Sequence, residues 1–196
     1  MKLAPLMLAC AAFAVVAPAA ADEQIFVATL SGTAESPPVA SPGSGSVRVT
    51  IDDATFMMRV QASFADLLGG TTAAHIHCCT ALSGFGNVGV ATVTPTFTDF
   101  PSGVTSGSYD HTFDMSLASS WNPSFLTAQG GSTATAFASL LTGIEDGKSY
   151  FNVHTTAFGG GEIRGFLAPI PEPSTYALML AGIALVAGAA RRVRPR

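Results

Sequence analysis

Charge is scarce in this chain, since Asp, Glu, Lys and Arg together make up only 11% of its 196 residues. Between residues 22 and 169 the basic side chains are Arg48, Arg59, Lys148 and Arg164, against twelve acidic ones. That segment is formally −8, where the whole chain is −4. Such a surface repels a phosphate backbone and has no basic patch, which excludes nucleic acid as a partner. Neither a GxxxxGK[ST] phosphate loop nor a dinucleotide fingerprint is present. Tryptophan occurs once and tyrosine three times, too few for an aromatic sugar-stacking platform. No Ser-His-Asp or Cys-His set has supporting spacing. Asp110 and His111 are adjacent on an expected strand and so point to opposite faces, a poor dyad. These absences argue against an enzyme.

Long apolar runs are confined to the two ends. At the N-terminus Lys2 is a charged n-region, Leu3 to Val16 an apolar stretch, Pro18 its break and Ala19-Ala20-Ala21 a small-residue cleavage site. Residues 1–21 are therefore expected to be a signal peptide passed through the Sec translocon, and Cys10 leaves with it. At the C-terminus Tyr176 to Ala190 is uncharged. Fifteen helical residues rise only about 22 Å against roughly 30 Å of hydrocarbon. Starting at Pro173 the run reaches the short end of what spans, and arginines can snorkel to the headgroups. A transmembrane helix is expected here. Arg191, Arg192, Arg194 and Arg196 are placed in the cytoplasm and everything before residue 171 outside.

Pro171-Glu172-Pro173, the short apolar helix and the terminal arginines together resemble the PEP-CTERM sorting signal, over about residues 170–196. The resemblance implies a Gram-negative exporter and recognition of Glu172 by exosortase, a membrane-embedded protease. It also implies a transient stay in the inner membrane, release to the cell surface or exterior, and association with exopolysaccharide or biofilm matrix.

Residues 22–169 are enough for one domain with a real core. Period-two alternation predicts strands over 25–31, 47–52, 56–64, 109–117, 150–155 and 162–167, with shorter strands at 73–79 and 88–96. Residues 32–46 read as a Gly/Pro/Ser loop, and Asp52-Asp53-Ala54-Thr55 as the turn of a hairpin. Asn122-Pro123 opens a short helical turn. Ser132 caps a helix through Ile144, with Ala136, Leu140, Leu141 and Ile144 on one face. Many short strands without a βαβ rhythm predict an all-β sandwich or barrel with one or two short helices.

This stretch carries a second resemblance. Leu30-Ser31-Gly32 with Glu35 and Pro37-Pro38, then Ala74-His75-Ile76-His77, Phe151-Asn152-Val153-His154-Thr155 and Gly161-Glu162-Ile163-Arg164-Gly165, are similar to the CHRD domain over about residues 26–168. Cys78, Gly159 and Phe166 depart from the usual pattern. The resemblance implies an immunoglobulin-like antiparallel β-sandwich or barrel with no established enzymatic activity. On that basis the expected function is that of a non-enzymatic exported domain at the surface or in the matrix, and a glycan- or protein-binding module is a further reading.

Chemistry concentrates at a few residues. His75 and His77, two apart on a strand, present both imidazoles to one face, a common way for a sheet to offer a metal two ligands. Asn152 and His154 share a face of a later strand. A site of His75, His77 and His154, with Glu162 or Asp110 as a fourth ligand and His111 as a further candidate, would take zinc or copper. Its enzymatic version is superoxide-dismutase-like. The alternative is that these histidines only bond backbone carbonyls. Cys78 and Cys79 either form a vicinal disulfide, bond between chains, ligate a metal beside the histidines or stay as thiols. Glu162 and Arg164 share a face, either as a surface pair or with Arg164 anchoring the last strand to a carboxylate.

Overall fold

The computed structural model describes residues 23–170 together with Leu180, Gly182 and Ile183. The expected signal peptide, the Pro171-Glu172-Pro173 motif, the apolar helix and the arginine cluster lie outside the described residues, apart from those three positions. Among the described residues no helix is long and apolar enough to cross a membrane.

The fold is mainly antiparallel β, as the alternation predicts. Its strands are β1 (Gln24–Ser31), β2 (Ser44–Asp52), β3 (Met57–Ala65), β4 (Thr71–His77), β5 (Gly107–Asp114), β6 (Tyr150–Thr155), β7 (Ile163–Phe166) and β8 (Ala168–Pro169). They form a single curled sheet in the order β4-β6-β7-β1-β2-β3-β5, with β8 added beside β1. This corrects the expectation of two facing sheets. The β2–β3 hairpin has the predicted turn: the Asp52 carboxylate accepts hydrogen bonds from the amides of Ala54 and Thr55. Its register sets Val47, Val49 and Ile51 opposite Ala62, Val60 and Met58, all buried on the concave face. β2 begins at Ser44, inside the stretch read as a loop, because Gly45 and Ser46 continue the pairing with β1.

Residues 88–96 do not form the strand expected there. This stretch begins a long segment that closes the gap between the edge strands β4 and β5. The Ala91 and Phe97 amides donate to the Ile76 and Ala74 carbonyls. The matching amides of Ile76 and Ala74 are satisfied by the hydroxyls of Thr92 and Thr96 instead of a backbone ladder. Pro95, lacking an N–H, breaks any regular continuation. The segment carries Phe97 and Phe100 into the core, where Phe97 packs 5.1 Å from Phe113 and 6.0 Å from Phe151. Burial of such aromatic rings is a large favourable contribution, about 1.5–3 kcal/mol each.

Two helices cover the remaining opening. α1 (Pro123–Ala128) starts with Asn122, whose side chain accepts from the Ser124 amide, and with Pro123 in the first turn. α2 (Thr133–Glu145) buries Ala136, Phe137, Leu140, Gly143 and Ile144. Leu141 of the predicted stripe is only half-buried, and Ser132, at the N-cap position, makes no capping bond.

Cys78 and Cys79, at the end of β4, are joined by a disulfide whose sulfurs lie against α2, facing the Ser139 carbonyl. Gly143 allows this approach: a Cβ there would stand 2.5 Å from both sulfurs. In an ordinary helix Gly→Ala stabilises by about 1 kcal/mol. Here Gly143→Ala is expected to destabilise by roughly 1–3 kcal/mol through overpacking. Urea unfolding of both forms checks this, and a stabilised variant would contradict the contact.

Candidate functional site

β4, β6 and β7 bury residues on both of their faces. The concave face presents Ala74, Ile76, Phe151, Val153 and Ile163, all buried in the core. The opposite face presents His75 and His77, then Tyr150, Asn152 and His154, then Arg164 and Phe166. The β4–β6 register sets His75 opposite Asn152, His77 opposite Tyr150 and Ala73 opposite His154. His154 thus lies diagonally across from His75, within reach for long side chains. Three histidines 79 residues apart in sequence converge, each offering a ring nitrogen within 4.8 Å of the others. His75 and His77 are buried and His154 is half-buried.

Hydrogen bonds fix the tautomers. A carbonyl oxygen only accepts, so Nδ1–H of His77 donates to the Val88 carbonyl at 2.7 Å, and Nδ1–H of His154 to the Gly159 carbonyl at 2.9 Å. Both Nε2 atoms therefore carry lone pairs. Nε2 of His154 accepts from Nε2–H of His75 at 2.9 Å. Nε2 of His77 and Nδ1 of His75 are buried without a hydrogen-bond partner. Burial pushes His75 down to about 3, with the neighbouring rings of His154 and His77 adding to the effect and the Pro95 carbonyl opposing it. Burial likewise lowers His77 to about 4 and also lowers His154. All three are neutral at pH 7.

Beside the histidines is a buried cation. Arg164 donates from Nε to the Ala34 carbonyl, and from a terminal nitrogen to the Gly86 carbonyl at 3.2 Å and to Asn87 Oδ1 at 2.7 Å. Its guanidinium stacks 4.6 Å over the Tyr150 ring, and Tyr150 in turn stacks 4.6 Å from His77. Glu35 approaches Arg164 at 3.6 Å. Burial raises the Glu35 carboxyl to about 7 against the pull of Arg164, and its Oε1 has no partner. Gly161 closes this corner with φ +123°. A Cβ there would meet Asn152 at 2.6 Å and Glu35 Oε1 at 2.8 Å.

Glu162 and Arg164 are both buried, and no direct contact joins them, which corrects the surface pair. The Glu162 carboxylate accepts from Ser41 Oγ, Thr155 Oγ1 and the amides of Leu68 and Gly69. Burial works against its charge, yet these four donors prevail and hold it below the ordinary carboxylate range. With its oxygens committed, Glu162 is not a fourth ligand. Nor is Asp110, which makes a two-point ion pair with Arg59 on β3, at the far edge of the sheet. His111 sits between Tyr109 and Phe113 on that same distant strand. The disulfide-bonded cysteines face α2 and do not join the histidines. Glu35, Asn87 and Tyr150 were not singled out as site residues from the sequence. Glu35 meets Arg164 across a separation that no local pattern signals.

The chain is similar to two family models: the CHRD domain over residues 26–167, and the PEP-CTERM protein-sorting motif over residues 169–194. Comparison with curated proteins and with solved structures returns no match.

The two buried carboxylates differ in a measurable way. Glu162→Gln puts an N–H against donors and is expected to cost about 3 kcal/mol. Glu35→Gln, mimicking an already favoured neutral carboxyl, is expected to change stability by less than about 1 kcal/mol at pH 6. Urea melts of the two variants check the contrast, and similar losses in both would contradict it.

The pH response follows from the same groups. Histidines with lowered folded pKa bind fewer protons in the folded chain, so their contribution is present above about 6.5 and is lost as pH falls toward 4 and 3. Glu35, raised to about 7, acts oppositely between 4.5 and 7. Three histidines outweigh one carboxyl, and metal-free protein is expected to lose roughly 2 kcal/mol or more between pH 6.5 and 4.5. Urea midpoints at the two pH values test this, and equal or greater stability at pH 4.5 would refute it.

Proposed function

Because this chain belongs to the CHRD domain family and ends in a PEP-CTERM protein-sorting motif, it is an exported, sorted protein, and we infer that its domain acts outside the inner membrane as a non-enzymatic component of the cell surface or extracellular matrix. The observation that carries this reading is where the domain ends. Ala168 and Pro169 pair with Val27 and Phe26, and the Ile170 amide donates to the Ile25 carbonyl. The last hydrogen bond to the sheet is thus made just before Pro171-Glu172-Pro173. Exosortase cutting at or after that motif would leave every described strand intact. Removing the tail also removes four arginines and releases an acidic domain.

Burial of the titratable groups supports a non-enzymatic role. Glu162 and Arg164 are consumed by structural hydrogen bonds, and no nucleophile with an adjacent base is found among the described residues. On the outer face, Thr29, Ser46, Ser63 and Ser108 lie in register across β1, β2, β3 and β5, so a row of hydroxyls is offered to polar matrix such as exopolysaccharide.

In an exosortase-containing Gram-negative host the full chain is expected to be shortened at its C-terminus and to leave the membrane fraction. Glu172→Ala should accumulate uncut in the inner membrane. Immunoblotting of fractions follows both. Equal processing in a strain lacking exosortase would sink the reading.

A further inference from the structure

We propose that His75, His77 and His154 form a three-histidine centre for a single borderline divalent ion, zinc or copper(II), with at least one coordination position left to a ligand from solution. The inference goes beyond the sorting reading and does not depend on it.

Three observations carry it. The first is convergence: nitrogens from three imidazoles on two paired strands fall within 4.8 Å of one another, so one ion can touch all three. The second is preparation of the donors. A metal-bound histidine usually donates its other ring N–H to a carbonyl or carboxylate, which fixes the tautomer and orients the ring. His77 and His154 already do so, to the Val88 and Gly159 carbonyls, leaving both Nε2 lone pairs toward the cluster. The third is an unmet need. Nε2 of His77 is buried with nothing to bond, and Nδ1 of His75 is buried and unpartnered while Nε2–H is spent on His154. Transferring the His75 proton from Nε2 to Nδ1, on the ring that the Pro95 carbonyl flanks, frees the third lone pair and gives the proton an acceptor. An unpartnered buried polar atom is otherwise costly, about 1–3 kcal/mol.

The donor set also decides the ion. Three neutral imidazoles without thiolate or carboxylate suit zinc, copper(II) or nickel and do not suit calcium or magnesium. Glu162, Asp110 and the Cys78–Cys79 disulfide are committed elsewhere, so among the described residues no fourth protein ligand is ready. Three protein ligands plus an exchangeable position is the pattern of an open site. Arg164, stacked on the far side of Tyr150 from His77, favours an anionic or neutral occupant of that position.

The test uses the full exported chain purified from the envelope in mild detergent, stripped with chelator and titrated with zinc chloride or copper(II) chloride alone. The expected result is one ion per chain by elemental analysis and a rise in melting temperature of roughly 5 °C or more at saturation. The copper form should give an electron paramagnetic resonance spectrum split by several nitrogens. His154→Ala, at the half-buried rim, should weaken binding by at least about 100-fold, at the limit of what losing a supporting partner produces. His77→Asn provides a second loss should the first variant fail to fold, and His111→Ala should bind as the native chain does. Binding of neither ion overturns the proposal. So does native-like binding in both His154→Ala and His77→Asn, or loss of binding on Cys78→Ser and Cys79→Ser instead.

Discussion

The alternation of side chains across three neighbouring strands governs this molecule. β4, β6 and β7 are buried on both faces, so their alternate residues must satisfy two different environments. On one face Ile76, Phe151, Val153 and Ile163 join the aromatic core. On the other, His75, His77, Asn152, His154 and Arg164 build a polar layer out of reach of bulk water. A slip of one residue between β4 and β6 would drive histidines into the core and isoleucine into the polar layer. The hydrophobic effect therefore enforces the register that assembles the histidines.

That polar layer is held by unequal electrostatics. Glu162 keeps its charge because four donors from three separate segments converge on it, and in doing so it ties the loop at Ser41, the turn at Leu68-Gly69 and the end of β6 together. Glu35 has a cation nearby but an unpartnered oxygen, and burial drives it toward the neutral form. Proximity to a positive charge is thus less effective than direct hydrogen bonding at offsetting desolvation. Arg164 follows the same rule, with two carbonyls and an amide oxygen as its acceptors and Tyr150 beneath it.

The domain is closed at both margins of the sheet by different means. Between β4 and β5 a long irregular segment substitutes threonine hydroxyls for part of a ladder and contributes Phe97 and Phe100. At the end of β4 the cysteine pair is pressed against α2, where only a glycine leaves room. On the chain's final side, β8 and Ile170 complete the hydrogen bonding of β1 and the sorting segment begins immediately afterwards. A domain that finishes its fold before its address begins can lose the address without losing structure.

Much of this was readable in the residues, and the division has a physical basis. Period-two alternation located β1, β2, β3, β5, β6 and β7 to within a few residues, since strand geometry is imposed by neighbours in sequence. The short strand 88–96 misled because its apolar content serves core filling through a loop, and Pro95 prevents the ladder. His75 and His77 were legible as a pair because i and i+2 always share a face. The sequence could place His154 on the face of its own strand, but its arrival beside them depends on which strand β6 pairs with and in what register. The same holds for Glu35 reaching Arg164, and for Asp110 and His111 being left on a distant edge. Local pattern alone determined the strands, the turn at Asp52 and the resemblance of the tail to a sorting signal. Long-range pairing, driven by burial of one continuous core, decided which buried charges are satisfied and brought three histidines to a point.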